Sequence, residues 1–135
     1  MDGVILHPTR VIPHPKGDIL HAIKASSEGF EQFGEAYFST INFGEVKGWK
    51  KHTKMVLNFV VPAGEVQVVV YNGSEFFTTI LSKGNYQRLT IAPNLWVAFK
   101  GISENTNLIL NVASIEHDPD EAVNIDLEEI LYDWK

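Results

Sequence analysis

A succession of short apolar or alternating runs, each closed by turn chemistry, constrains this chain more than any other feature. They fall near Ile19 to Lys24, Glu35 to Thr40, Glu45 to Trp49, Met55 to Val61, Val66 to Tyr71, Phe76 to Leu81, Tyr86 to Ile91, Trp96 to Ile102 and Leu108 to Ser114. Their β-branched and aromatic content predicts strands. Pro62-Ala-Gly64 and Asn72-Gly73 supply the pre-set or left-handed backbone angles of tight hairpins, and Lys83-Gly-Asn85, Pro93-Asn94 and Ser103-Glu-Asn105 mark the next turns. Strands this numerous and this close are most simply closed on themselves, because closure removes edges that would aggregate. The expected fold is all-β, a jelly-roll β-barrel or sandwich.

With 135 residues the chain can bury most of its apolar surface in one core, so a single domain over residues 1–135 is expected, residues 1–16 forming an extended N-terminal arm. There is no cysteine, which excludes disulfides, thiolate zinc sites and cysteine nucleophiles and suits a reducing compartment. The opening segment is too short and polar for a secretory signal, and no apolar run approaches membrane-spanning length. A cytoplasmic protein without membrane contact is expected.

The C-terminus changes period. Leu127, Ile130, Leu131 and Trp134 fall at i, i+3, i+4 and i+7, which predicts a short helix over residues 126–134 packed as a lid on the barrel. Asp126 with Glu129 three residues later reads as a capping box.

The net charge of −6 argues against a nucleic-acid polymer as partner, yet the charge is unevenly placed. Lys47, Lys50, Lys51 and Lys54 cluster, whereas Glu116, Asp118, Asp120, Glu121, Asp126, Glu128, Glu129 and Asp133 crowd the C-terminal end. A local cationic patch on an acidic protein fits a small anionic ligand; its plain alternative is a solvated strand end.

His52 stands inside that patch, before the run Met55 to Val61. Period-two alternation sets Lys50, His52, Lys54, Val56 and Asn58 on one face and Met55, Leu57, Phe59 and Val61 on the other, which leaves His52 in solvent if the apolar face is buried. A bulge or turn near Thr53 would reverse the parity and point His52 inward. Both orientations are open at the level of sequence. His7 and His14 flank prolines in the arm and are expected to be exposed or at a dimer contact, while His21 reads as a partly buried strand histidine. First-row metals want three or four converging N or O ligands, and His52 stands without such a cluster, so no metal or other cofactor is expected.

From Gly17 to Asp126 the chain resembles the cupin-fold dTDP-4-dehydrorhamnose 3,5-epimerases and their ketoisomerase relatives. Glu45-Val-Lys-Gly-Trp-Lys-Lys-His52 is similar to that family's V-L-R-G-L-H segment, and Gly64-Glu-Val-Gln-Val-Val-Val-Tyr71 to its G-E-V-F-D-V-x-V-D. Leu81-Ser-Lys-Gly-Asn-Tyr-Gln-Arg-Leu-Thr-Ile-Ala-Pro-Asn-Leu-Trp-Val-Ala-Phe99 matches L-S-x-E-N-x-x-x-L-x-V-P-P-G-F-A-H-G-F in order and spacing. The resemblance implies a cupin-type jelly roll, a homodimer, and a small-molecule nucleotide sugar as partner. Lys47 matches the phosphate-contacting arginine, keeping charge without the bidentate fork. His52 matches the second histidine of the ketoisomerases' R-G-x-H-x-H, Lys50 stands at the epimerases' histidine, and Val97 at the histidine of F-A-H-G-F. No tyrosine stands in Ser114-Ile-Glu-His-Asp-Pro119, where the epimerases carry their acid, so Glu116 or His117 would have to supply the proton.

The implied chemistry is removal of an acidified C–H beside a sugar ketone. It needs a base of near-neutral pKa, a role that fits His52; a cation for the developing oxyanion, from Lys50 or Lys54; and a donor on the other face. Trp49, Trp96 or Tyr37 would stack on base or sugar, Lys47 would meet the diphosphate, and Asn58 and Asn111 are further substrate contacts. The expected activity is an epimerase of NDP-4-keto-6-deoxy sugars; the alternatives are a 3,4-ketoisomerase and a cupin that binds such a sugar without turnover.

Overall fold

The computed structural model describes every residue from Met1 to Lys135. All the runs singled out above form strands, and three more appear that composition did not flag. In chain order they are β1 (Val4–Pro8), β2 (Val11–Ile12), β3 (Ile19–Leu20), β4 (Glu35–Thr40), β5 (Val46–His52), β6 (Leu57–Ala63), β7 (Glu65–Tyr71), β8 (Phe76–Ser82), β9 (Gln87–Ile91), β10 (Trp96–Gly101), β11 (Leu108–Ala113) and β12 (Ala122–Asn124). They build two five-stranded antiparallel sheets, β1-β9-β6-β11-β4 and β12-β5-β10-β7-β8, with β2-β3 as a separate ribbon. No helix is long and apolar enough to cross a membrane.

The two sheets face each other and bury alternate residues, as a sandwich requires. Leu57, Phe59 and Val61 of β6 meet Val66, Val68 and Val70 of β7 in one core, with Leu89, Ile91, Val97 and Ile109 filling it from neighbouring strands. The β6–β7 and β7–β8 hairpins turn where expected, at Gly64 (φ +75°) and Gly73 (φ +99°), left-handed angles that glycine adopts without a Cβ penalty.

A second, smaller cluster lies on the outer face of the second sheet, around Trp49, Val69 and Ala98. The C-terminal segment covers it, but not as the expected helix over residues 126–134. Only a single 3-10 turn forms, Leu127–Glu129. The Glu129 carboxylate accepts the Asp126 N–H at 3.0 Å, so the capping contact is made, yet the chain then runs extended. Ile130, Tyr132 and Trp134 pack on the cluster while Leu131 between them is 85 % exposed. Period two wins here because it buries both aromatic rings against Trp49 and Phe76, whereas nine residues are too few to hold an isolated helix.

The N-terminal arm is likewise tied down. Within residues 1–16, β1 pairs with β9 in register Leu6 to Leu89 and His7 to Arg88, and β2 pairs with β3. His7 is accordingly part-buried within its own chain, its Nε2 3.0 Å from Thr90 Oγ1, where exposure or a dimer contact was expected. Its β-strand was missed because Pro8 interrupts an already short run.

Candidate active site

Between the sheets, at the end where β4 and β5 approach, lies a cavity of about 380 Å³. Its apolar floor is Leu57, Phe59, Val97, Phe99 and Ile109, with Phe59 and Phe99 meeting edge to face at 5.2 Å. Polar groups enter from opposite walls: Lys47, Lys50 and His52 from β5 and Asn124 from β12, against Tyr37 and Ser39 from β4 and Asn111 from β11.

Two breaks in β5 produce this grouping. Opposite Val97 and Phe99 of β10 stand Lys50 and Lys47, so β5 carries one residue more than its partner. The extra residue brings two lysines three positions apart to the same cavity, while the Trp49 indole turns to the outer cluster. Gly48 permits the bulge, since a Cβ there would sit 2.4 Å from that of Ala98. The Gly48–Trp49 peptide bond is cis.

The second break follows His52. Residues 53–56 leave the strand and bend, so His52 shares the cavity with Leu57 and Phe59 of the next strand. Of the two orientations open in the sequence, His52 takes the inward one.

Glu121, which sequence reasoning passed over as one of many C-terminal acids, makes that bend. Its side chain is only 2 % exposed, and Oε2 accepts the backbone N–H groups of Thr53 (3.1 Å), Lys54 (3.0 Å) and Met55 (3.2 Å). Its other oxygen, Oε1, hydrogen-bonds His52 Nδ1. Burial pushes the Glu121 carboxyl up, but the hydrogen bonds from His52, Lys54 and Met55 outweigh it and hold the group below its ordinary value. An ionised carboxylate only accepts, so Nδ1 carries the proton of neutral His52. Nε2, with no partner in the chain, is left as a lone pair at the cavity wall.

Lys47 reaches across to β4, its Nζ 2.7 Å from the Thr40 carbonyl and 3.4 Å from Ser39 Oγ. The Lys50 side chain makes no ion pair or hydrogen bond within the chain and is the cavity's uncommitted cation. On the facing wall the Asn111 amide is fixed, its Oδ1 accepting the Asn58 N–H at 3.2 Å and its Nδ2 donating to the Tyr37 hydroxyl at 3.1 Å.

Other residues singled out in the sequence are placed differently. Trp49 borders the cavity, but its indole is 1 % exposed and packs at a tilt against the C-terminal aromatics, with Nε1 donating to the Leu127 carbonyl at 3.1 Å. Trp96 lies outside the cavity beneath the Lys51 ammonium, 4.8 Å from its ring centre. Asn58 points to the opposite face of its sheet, giving Nδ2 to the Gly29 carbonyl at 3.1 Å. Lys54 sits on the 53–56 bend, outside the cavity wall. Glu116 and His117 are exposed and outside it too; His117 offers only its backbone N–H, to Glu35 at 2.7 Å. The proton carriers in the cavity other than the lysines are therefore His52 and Tyr37. No three metal-ligating side chains converge anywhere in the fold.

The family model described as WxcM-like, C-terminal (FdtA) matches residues 5–129. The chain belongs to that family. Its relatives agree with this placing: a crystal structure of a dTDP sugar isomerase from Desulfovibrio desulfuricans G20 is 33 % identical, superposes with a TM-score of 0.93, and is covered over 91 % of its length by 98 % of this chain. The probable low-salt glycan biosynthesis epimerase Agl13 of Haloferax volcanii is 26 % identical over 132 residues, 88 % of this chain and 85 % of that protein. QdtA, a sugar 3,4-ketoisomerase from Thermoanaerobacterium thermosaccharolyticum solved with TDP, is 18 % identical with a TM-score of 0.80 over 91 % of this chain and 88 % of its own, which speaks to fold alone. The WxcM-like sandwich is thus a cupin-type jelly roll, and the chain is a member of the sugar-nucleotide epimerase and ketoisomerase superfamily.

Proposed function

We propose that the protein is a nucleotide-sugar isomerase that removes the C3 proton of a dTDP-4-keto-6-deoxy sugar and returns a proton at C4, moving the carbonyl from C4 to C3. The observation that carries this reading is the His52–Glu121 pair, an imidazole anchored through Nδ1 with its other nitrogen on a mostly apolar cavity. The C4 carbonyl acidifies C3–H; His52 Nε2 takes that proton, and the electrons of the broken C–H bond pass to O4 to leave an enediolate. Lys50, which lines the cavity, stands as the cation that offsets this charge. Transfer of the O3 proton to O4 and return of a proton from the His52 imidazolium to C4 then complete the isomerisation, leaving a C3 ketone, a C4 hydroxyl and neutral His52. Glu121 stabilises the imidazolium formed in the first step and fixes its tautomer; it is a positioning residue. Lys47, tied to β4 at the cavity rim, supplies charge for the diphosphate.

The same enediolate protonated at C3 from its other face would give the 3-epimer. Tyr37 favours that second reading, because its hydroxyl enters from the sheet opposite His52. Incubation with dTDP-4-keto-6-deoxyglucose and ¹³C NMR of the product separates the readings. A new carbonyl carbon at C3 is the isomerase, a retained C4 ketone with inverted C3 the epimerase, and unchanged sugar that nonetheless binds contradicts both.

A further inference from the structure

On the outer face of the first sheet, away from the active-site cavity, β1, β9 and the segment 21–27 enclose a second pocket of about 250 Å³. Its nitrogen-bearing side chains are His7, Arg10, His21, Lys24 and Arg88, and no acidic residue lines it. That composition is unexpected on a chain of net charge −6.

Arg88 is the informative member, being only 5 % exposed. Its Nη1 donates to Asn58 Oδ1 and to Thr90 Oγ1 (2.8 Å), and its Nη2 to the Glu28 carbonyl (2.7 Å). Every acceptor is a neutral oxygen. The Glu28 carboxylate, 77 % exposed and 3.6 Å from His7 Nδ1, makes no ion pair with the guanidinium; burial holds Arg88 below its ordinary value and outweighs the Glu28 charge, which favours the cation from a distance. A guanidinium this deep normally has a counter-ion, because removing an unpaired charge from water is costly. Its Nε–H and one Nη2–H bond nothing in the chain and remain for a ligand. The wall is also built, not incidental: the Tyr86 hydroxyl donates to the His21 carbonyl at 2.6 Å, and the Ser27 hydroxyl accepts the Lys24 N–H at 2.9 Å.

We propose that this pocket is a second binding site for a small phosphate-type dianion, with the buried Arg88 guanidinium as anchor and Arg10 and Lys24 as its exposed rim. A guanidinium's planar fork matches phosphate oxygens. The ligand's phosphate could be free or carried on a monoester, and the chemistry that recognises it is the same.

The test follows the histidine ring resonances by NMR during titration with inorganic phosphate, against chloride at matched ionic strength and constant pH, with thymidine monophosphate in a parallel arm. The expected result is a saturable shift of the His7 and His21 signals under phosphate, weakened about tenfold or more by the double variant Arg10→Ala, Lys24→Ala. Binding in both arms means a site for phosphate monoesters, and in the phosphate arm alone a site for the free ion. Arg88→Gln should abolish the shift; if that variant does not fold, the rim variant, built at exposed positions, still decides. Shifts of His7 and His21 no larger than with chloride would overturn the proposal. So would saturation reported by His52 alone, or binding unaltered in the rim variant.

Discussion

The imidazole Nδ1 of His52 is hydrogen-bonded to the buried carboxylate of Glu121, 69 positions later in the chain. That contact joins two tasks. The same carboxylate gathers the N–H groups of residues 53–55, and so it shapes the bend that turns His52 inward as well as orienting the ring once there.

Substitution should separate the tasks. Glu121→Gln keeps an oxygen for the backbone donors but loses the charge beside His52, so kcat is expected to fall about 10²-fold while stability falls by only about 1–2 kcal/mol. Glu121→Ala leaves three backbone N–H groups unsatisfied and should cost about 3–5 kcal/mol in urea unfolding. Equal stability of the two variants would show that the carboxylate does not hold the bend.

Acid should destabilise the fold in two windows. Burial, reinforced by Arg88 and opposed by Glu28, holds His7 below its ordinary value of 6.5, so the unfolded chain protonates first and stability falls as pH drops from 6.5 toward the folded value. Glu121 lies below its ordinary 4.5, so its contribution is complete above 4.5 and is lost as pH falls through its folded value. Urea midpoints measured against pH should show both stages, with His7→Gln flattening only the upper one. An unchanged upper window in that variant would contradict the assignment.

The two cavity lysines should divide binding from chemistry. Lys50→Met is expected to lower kcat about 10²-fold with little change in KM, since its charge matters most once the oxyanion forms. Lys47→Ala should raise KM about tenfold with kcat largely retained, the signature of a contact equal in ground and transition states. Steady-state kinetics on both variants checks the division.

The C-terminal strap gives a stability contrast between neighbours. Trp134→Ala removes a ring packed on Trp49 and should cost about 2 kcal/mol, whereas the exposed Leu131→Ala should stay within about 0.5 kcal/mol. A helix over the same residues would make both costly.

Strands β4, β6, β7, β9, β10 and β11 are legible from their β-branched and aromatic content, even where, as in β6 and β9, nearly every residue is buried. Legibility fails where a long-range contact overrides the local pattern. Leu127, Ile130, Leu131 and Trp134 fit a helical stripe on paper, but the aromatic cluster on the outer sheet rewards period two. The cavity lysines and His52 were readable as a cationic, titratable group; their common orientation was not, because a bulge at Gly48 and a bend at Thr53 each shift the parity. Glu121 carried a faint signal, an acid directly before Ala122-Val-Asn124, which forms β12 and pairs with β5, Ala122 opposite His52. Nothing local distinguishes it from the exposed Asp118 and Asp120 beside it. Tyr37, named for stacking, lines the cavity with its hydroxyl fixed by the Asn111 amide, a contact that local sequence does not show.

The central claim, that His52 takes a proton from the carbon beside the sugar ketone, is tested most directly by solvent exchange. The protein is incubated with dTDP-4-keto-6-deoxyglucose in deuterium oxide and deuterium at C3 is followed by NMR. The wild type should incorporate deuterium, and His52→Gln should lose about 10³-fold or more of that rate while still binding dTDP. Exchange at the wild-type rate in His52→Gln would contradict the assignment, and a wild type that binds the sugar without exchange would contradict the activity itself.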